Sequence, residues 1–314
     1  MHVNQGEALP PPRSDDPLLK RDAAVFLHQA LSTPVGNWIA RAEGAYIYDG
    51  QGRAYLDLHG NGVHTVGYHN PAVVEAIQRQ LAEGLCFAPR RYTNRPAVEL
   101  AEKLAALAPG DLNRVLFCPG GSQAIEMAIM LAKLHTGRHK TLSFRGTFHG
   151  SGFQAISVGA DPHFVEGVGP LMPGALHLEL PDYARNPWGL EHQREIDEAY
   201  LAQLDDILFE HPDIAAFVSE PVFYNSTVPS RYYWQQVHER CDAHGILLIF
   251  DEIYTALGRT GTFFAAEQFV EPDILVIGKG FGGGMLPFAG IIAREGLNQQ
   301  RHKSIGHFTH EKNP

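Results

Sequence analysis

The sequence predicts an α/β protein in which helices cover both faces of a mainly parallel central sheet. Two observations lead to this prediction: short apolar runs recur from residue 114 onward, and helical patterns fall between several of them. Short, continuously apolar strands that alternate with helices are typical of a parallel sheet buried on both faces. The strand-like runs cover residues 114–118, 140–144, 215–219, 245–250 and 273–277.

Four elements are expected before this sheet: a short helix, a pair of strands around a glycine-rich turn, and two longer helices. Proline at a first helical position and glycine in the turn are the signals. These elements cover residues 22–31, 45–58, 71–83 and 95–106.

The clearest helix within the sheet region covers residues 122–135, with Gly137 placed as its C-terminal stop. A further apolar run covers residues 290–294.

Composition excludes several classes of protein. The 25 basic and 35 acidic residues give a net charge of −10, which is unsuited to binding a nucleic-acid backbone. No apolar run approaches the roughly 20 residues that cross a bilayer, and the polar, proline-rich start of the chain does not have the pattern of a signal peptide. Three cysteines make no disulfide framework. We therefore expect a soluble, cytoplasmic protein.

Residues that can carry chemistry follow the predicted strands. In an open parallel sheet, ligands bind beyond the carboxyl ends of the strands. Here those ends lead into a Gly-Gly-Ser turn that opens a helix, an aromatic–histidine pair, two acidic positions and a lysine. We expect these residues to converge at one edge of the sheet: Gly121, Ser122, Phe148, His149, Glu220, Asp251 and Lys279.

Each of these residues, taken alone, has an ordinary structural explanation. Ser122 after two glycines is a common helix N-cap, and Asp251 and Lys279 are equally explained as solvated loop residues. Taken together, they meet the needs of pyridoxal phosphate, which are an amine for the Schiff base, a carboxylate for the pyridine nitrogen, an aromatic face and a phosphate cup at a helix N-terminus. Lys279, Asp251, Phe148, and Gly121 with Ser122 supply one of each.

The same motifs resemble those of the class III, fold type I aminotransferases in both order and spacing. The resemblance covers roughly residues 45–314 and rests on five motifs. They are Gly-Gly-Ser-Gln-Ala-Ile-Glu (120–126), Phe-His-Gly (148–150), Glu-Pro (220–221), Asp-Glu-Ile-Tyr-Thr-Ala-Leu-Gly-Arg-Thr-Gly (251–261) and Gly-Lys-Gly (278–280).

This resemblance implies a fold type I transferase that carries pyridoxal 5'-phosphate as a Schiff base on Lys279. It implies that Asp251 pairs with the pyridine nitrogen and that Ile253 and Phe148 pack on the two ring faces. Phosphate would bind to Gly121 and Ser122. The remaining residues implied in cofactor binding are His149 and Glu220. No metal site is expected.

The resemblance also implies an assembly and a domain organisation. Thr309 matches the family threonine that reaches the phosphate of the neighbouring subunit, which implies a homodimer with shared active sites. Residues 1–67 would form an N-terminal arm and part of a small domain, and residues 68–314 the cofactor-binding large domain. The family's C-terminal small domain would be absent.

Two departures from the family pattern affect the expected chemistry. Tyr254 stands where the family often has a glutamine that contacts the ring hydroxyl, and residues 309–312 read Thr-His-Glu-Lys. With residues 92–95 and 108–114, this ending is similar to a branch of pyridoxal-phosphate lyases that remove ammonia from hydroxylated aminoethylphosphonates.

Two enzymatic functions therefore stay open. The first is transfer of an amino group from a primary amine or amino acid to a 2-oxo acid. The second is elimination of ammonia from a hydroxylated aminoethylphosphonate or a similar phospho-amine, whose anionic group Arg90, Arg91 and Arg95 could bind if they are not simply solvated. In either case the released Lys279 would be the base.

Three rival interpretations are weaker. Residues 278–283 satisfy a dinucleotide-binding G-x-G-x-x-G pattern, but no helix is expected after them. Histidines at 59, 64 and 69 lack partners with the spacing of a zinc site. A non-catalytic dimeric relative is the third, and the presence of both Lys279 and Asp251 argues against it.

Overall fold

Two sheets organise the protein. This computed structural model describes residues 15–30, 36–299 and 302–314, and within them ten strands are present. The smaller sheet is antiparallel and consists of β1 (Ile39–Glu43), β2 (Tyr46–Asp49) and β3 (Ala54–Leu56). The larger sheet contains β4 (Leu112–Cys118), β5 (Lys140–Phe144), β6 (Ala175–Leu178), β7 (Ile214–Ser219), β8 (Leu247–Asp251), β9 (Ile274–Ile277) and β10 (Ala289–Arg294).

The larger sheet is mainly parallel, as the sequence predicts. Its strand order is β4-β10-β9-β8-β7-β5-β6, and β10 runs antiparallel to both of its neighbours while the remaining strands run in one direction. The predicted runs all become strands, although β8 begins two residues later than expected, because Gly245 forms the left-handed end of the preceding helix. Strands β1 and β6 were not predicted.

Eight α-helices lie in the described ranges, and none of them is both long and apolar enough to cross a membrane. They are α1 (Pro17–Val25), α2 (Pro71–Ala82), α3 (Arg95–Leu107), α4 (Gly121–Thr136), α5 (Phe153–Gly159), α6 (Pro162–Val165), α7 (Gln193–Glu210) and α8 (Arg231–His244).

The position predicted for the first helix was wrong. Instead of residues 22–31, the helix starts at Pro17, because the Asp16 side chain caps it by accepting a hydrogen bond from the Leu18 N–H at 2.7 Å. It ends at Val25, and Phe26 is already extended. Residue 31 lies outside the described residues. The strong local signal is thus the Asp-Pro pair, since aspartate caps a helix and proline suits its first position.

Both faces of the large sheet are buried, which confirms the predicted layers. Successive residues of a strand point to opposite faces of the sheet. In β7 and β8, Phe217 and Phe250 pack in the same core as residues of α7 and α8, whereas their neighbours Val218 and Ile249 pack in a second core with α4 and α5. All four side chains are fully buried. This arrangement leaves the carboxyl ends of the parallel strands as the open edge.

Candidate active site

A cavity of about 200 Å³ lies at the carboxyl ends of the parallel strands. Eight of the nine residues predicted for the site line it, and Thr309 is the exception. The lining residues are Gly121, Ser122, Phe148, His149, Gly150, Glu220, Asp251, Ile253, Tyr254 and Lys279.

The N-terminus of α4 forms one wall of this cavity. Gly120, which precedes the helix, is extended and no side chain caps the helix, so the first backbone N–H groups are available to an anion. The hydroxyl oxygen of Ser122 accepts a hydrogen bond from the Ser151 N–H at 2.9 Å, which leaves its proton free to donate. Gly150 has a φ of +131°, and a Cβ there would lie 2.7 Å from the Cα of Ser122. A larger residue would therefore fill this cradle.

Asp251 ends β8 and is held by hydrogen bonds on both carboxylate oxygens. Its Oδ1 accepts from the Ile253 N–H at 3.1 Å, and its Oδ2 lies 2.8 Å from Nδ1 of His149. Nε2 of the same ring lies 3.2 Å from the hydroxyl of Thr147, which donates its own proton to the Phe144 carbonyl at 2.8 Å. The imidazole of His149 is thus held between Thr147 and Asp251, with its Nδ1 facing the carboxylate.

Lys279 follows β9 in a left-handed backbone conformation, with a φ of +46°. This conformation is unfavourable for a residue with a Cβ and persists only where the surroundings enforce it. A glycine on each side allows close packing: a Cβ at Gly280 would lie 2.5 Å from the hydroxyl of Thr65, and one at Gly278 would lie 3.3 Å from Cγ1 of Ile253. The backbone around Lys279 is thus fixed by its neighbours.

Ile253 and Phe148 are the apolar walls of the cavity. The Cδ1 of Ile253 occupies the space in front of Gly121, where a Cβ would lie only 2.7 Å from it. Phe148 is half-buried, and its ring centroid lies 4.4 Å from that of Phe164. A flat ring can be accommodated by such walls.

Glu220 is a buried acid at the same cavity. It is 5% exposed, and this burial, assisted by the negative charge of Asp251, raises its pKa to about 8 against the opposing effect of Lys279. Its Oε2 accepts a hydrogen bond from the Tyr224 N–H at 3.3 Å. Glu220 therefore carries a proton at neutral pH.

Glu252 is fully buried beside Asp251 but does not line the cavity. Its carboxylate accepts hydrogen bonds from the N–H groups of Ala265 at 2.7 Å and Ala266 at 2.8 Å, and from the Thr255 hydroxyl at 3.0 Å. Burial raises its pKa to about 7. These bonds tie together the two ends of the loop that carries Ile253 and Tyr254.

Thr309 and the basic residues near position 90 lie away from the cavity. Thr309 is exposed on the segment 302–314, which packs near residues 86–95: the Arg90 guanidinium donates to the His307 carbonyl at 3.4 Å, and the Asn94 amide donates to the Lys312 carbonyl at 2.6 Å. None of the three arginines that could bind the anionic group of a substrate, Arg90, Arg91 and Arg95, lines the cavity.

The motifs behind the dinucleotide-binding and zinc-site interpretations do not form such sites. Residues Lys279–Gly282 form a single 3-10 turn, so the G-x-G-x-x-G pattern opens no α-helix and the dinucleotide interpretation is wrong. His59 caps the turn at Gly60–Gly62, and His64 stacks on Tyr68. In the described part of the chain, no group of side chains is arranged to hold a metal ion.

Sequence reasoning missed Thr147 and Gly150 and did not resolve the place of Tyr254. Thr147 lies two residues before His149, but a threonine in a turn gives no signal of its own. Gly150 could have been found, because it completes the Phe-His-Gly motif; its φ of +131° explains why a glycine stands there.

The residues present fit pyridoxal phosphate. The cradle between Gly150 and Ser122 suits a phosphate, the cavity has apolar walls at Phe148 and Ile253, and a carboxylate and a lysine reach it from two adjacent strands. This donor set includes an anion-binding helix end and lacks a metal-binding cluster among the described residues.

Comparison with known proteins identifies the family. A model of the aminotransferase class-III family matches residues 29–314. The chain is 43% identical over 312 residues to an (R)-1-hydroxy-2-aminoethylphosphonate ammonia-lyase of Vibrio splendidus, covering 95% of this chain and 65% of the lyase. It is 40% identical over 257 residues to an acetylornithine aminotransferase of Methanopyrus kandleri, covering 81% of this chain and 60% of that aminotransferase.

A solved structure agrees with this assignment. The ω-transaminase of Pseudomonas jessenii in complex with PMP superposes with a TM-score of 0.86 at 28% identity, covering 92% of this chain and 70% of that one. The chain thus spans about two thirds of the length of the proteins it matches. It belongs to the class III aminotransferase family, whose cofactor is pyridoxal phosphate.

Proposed function

We propose that this chain is the cofactor-binding part of an enzyme that transfers the amino group of a primary amine or amino acid to a 2-oxo acid. The observation that carries the proposal is the convergence of Lys279, Asp251 and the free N-terminus of α4 on one cavity. When bound, pyridoxal phosphate would act as an electron sink for the carbon beside the substrate nitrogen.

Each residue has a defined task in this proposal. Gly121 and Ser122 would bind the phosphate through backbone N–H groups and the free hydroxyl proton. Asp251, held by His149, would keep the pyridine nitrogen protonated. Phe148 and Ile253 would contact the two faces of the ring.

Lys279 would first attach the cofactor and then, once displaced by the substrate amine, act as the base. It would take the proton from the carbon beside the substrate nitrogen and return it at a different atom. Glu220, which is protonated at neutral pH, would add no negative charge next to Asp251.

Elimination of ammonia is the second candidate, and a specific observation favours it. The match to the ammonia-lyase extends over 95% of the chain at 43% identity, whereas the match to the acetylornithine aminotransferase covers 81%. The two functions share every residue task given above up to removal of the proton. They differ in whether the substrate then loses a leaving group on the adjacent carbon.

A homodimer with Thr309 reaching the partner's phosphate is part of this proposal. Thr309 is exposed and does not line the cavity of its own chain, which leaves it free for such a contact. The predicted cytoplasmic location and the division at residue 67 stay predictions.

Product analysis distinguishes the two functions. Full-length protein loaded with pyridoxal phosphate is incubated with 2-aminoethylphosphonate, with its 1-hydroxy derivative and with ω-amino acids, each with and without 2-oxoglutarate or pyruvate. Amino transfer predicts a new amino acid that requires the 2-oxo acid. Elimination predicts free ammonia without any 2-oxo acid, and the Lys279→Ala variant is the control for both. Absence of both products for every amine would refute the proposal.

A further inference from the structure

Tyr254 lines the cavity, but its side chain has no task in the proposed function. Its ring lies close to two cations: Nζ of Lys279 is 5.4 Å and Cζ of Arg259 is 5.2 Å from the ring centroid. Both distances fall within the roughly 6 Å over which an aromatic face attracts a cation. Among the described residues, no other ring has two cationic side chains this close. Tyr254 is therefore placed to act on the charge of Lys279.

The Tyr254 ring packs on Gly62, although the residue is 36% exposed. Gly62 has a φ of +72°, and a Cβ there would lie 2.9 Å from Cε2 of Tyr254 and 3.3 Å from Cδ of Lys279. The bare backbone of Gly62 thus packs on both side chains at once. The loop that carries Tyr254 is tied to Ala265 and Ala266 by the carboxylate of Glu252.

Lys279 is equally constrained. Its left-handed φ of +46° is held by the packing of Thr65 and Leu257 against Gly280. A backbone fixed in this way limits the directions that the lysine side chain can take, and the one observed places Nζ near the ring of Tyr254. The lysine and the ring therefore form one preorganised unit.

We propose that the face of Tyr254 binds the Lys279 ammonium during proton transfer, an inference that rests on the proposed function. In that step the C–H bond beside the substrate nitrogen breaks, its electron pair stays with the substrate, and the proton forms a new N–H bond with the lone pair of Nζ. Lys279 thereby becomes positively charged. The ring attracts this ammonium but not the neutral amine, because its quadrupole interacts with charge.

Tyr254 is thus a positioning residue that acts through Lys279, and the part that acts is its ring and not its hydroxyl. A group that stabilises the state after proton uptake more than the state before it accelerates the step. The same preference slows any reaction that needs the neutral amine, including attachment of the cofactor. These two effects have opposite signs, and a purely structural role would not produce them together.

The test compares Tyr254→Leu, which removes the ring, with Tyr254→Phe, which removes only the hydroxyl. For Tyr254→Leu we expect proton transfer to slow about 2- to 30-fold, the range of a cation–π contact, and the isotope effect with α-deuterated amine to rise. We expect its cofactor-free form to attach pyridoxal phosphate faster at neutral pH, by a similar factor. Tyr254→Phe should resemble the wild type in both measurements.

Two further variants complete the design. Tyr232→Leu removes a ring that contacts Arg194 on the surface of α8, and it should leave both rates unchanged. If Tyr254→Leu does not fold, Tyr254→Met replaces it, and this variant lacks an aromatic face in the same way.

The outcomes separate the two proposals. The role of the ring would be overturned if Tyr254→Leu and Tyr254→Phe had equal rates of proton transfer and of cofactor attachment. It would also be overturned if both rates fell in Tyr254→Leu. A wild-type protein that neither attaches the cofactor nor releases product would instead refute the proposed function.

Discussion

Glu220 offers a quantitative test of the electrostatics of the cavity. Burial and the nearby Asp251 raise its pKa from 4.5 to about 8. An acid with a raised pKa in the folded state contributes its full stability below the unfolded value and loses it as the pH rises through the folded value. The difference between 4.5 and about 8 corresponds to roughly 5 kcal/mol of unfolding free energy. Most of this loss falls between pH 5 and 8.

Replacing Glu220 by glutamine removes the ionisation while keeping a neutral group of similar shape. We therefore expect the free energy of unfolding of Glu220→Gln to fall less between pH 5 and 8 than that of the wild type. The gain of the variant over the wild type should grow across this window towards roughly 5 kcal/mol.

The assay is urea unfolding of the cofactor-free protein at pH steps from 5 to 8.5. Glu99→Gln, on the exposed face of α3, is the matched control and should follow the wild type throughout. Parallel curves for the wild type and Glu220→Gln would show that Glu220 does not carry a proton in the folded protein.

Three further predictions concern the cofactor cradle, the pyridine contact and the core. Asp251→Asn should still bind pyridoxal phosphate but lose about 10²-fold or more in turnover, measured by absorbance and steady-state rates; turnover at the wild-type rate would contradict it. Gly150→Ala should weaken cofactor binding about 10-fold or more, because the added Cβ would crowd Ser122 and strain the backbone by about 1–3 kcal/mol. Fluorescence titration measures the affinity, and the control Gly296→Ala, whose Cβ would lie in open space, should bind the cofactor normally. Phe217→Ala should lower the free energy of unfolding by about 3–5 kcal/mol, because the side chain is fully buried; a urea-unfolding loss under about 1 kcal/mol would contradict the described core.

The sequence was most informative where strands end. Parallel strands place their carboxyl ends at one edge, so Ser122, Asp251 and Lys279 had to meet once their strands were recognised. The apolar character of these strands is unusually clear because both faces of the sheet are buried. The convergence in the cavity is a consequence of topology, which periodicity reveals.

The features that could not be predicted from the sequence depend on tertiary contacts. The strand β6 has four residues and pairs only at the sheet edge, which gives too short a pattern to recognise. The contact of Thr147 with His149 depends on the turn after β5. The cations around Tyr254 come from positions 5 and 25 residues away in the chain, and no spacing rule predicts that they meet at one ring.

Borohydride reduction shows whether Lys279 holds the cofactor, on which the proposed function depends. Full-length protein is loaded with pyridoxal phosphate, its visible spectrum is recorded before and after borohydride, and the reduced protein is digested for peptide mass analysis. We expect a visible band that borohydride abolishes and a phosphopyridoxyl group on the peptide that contains Lys279. Attachment to a different lysine, or no binding of pyridoxal phosphate at all, would contradict it.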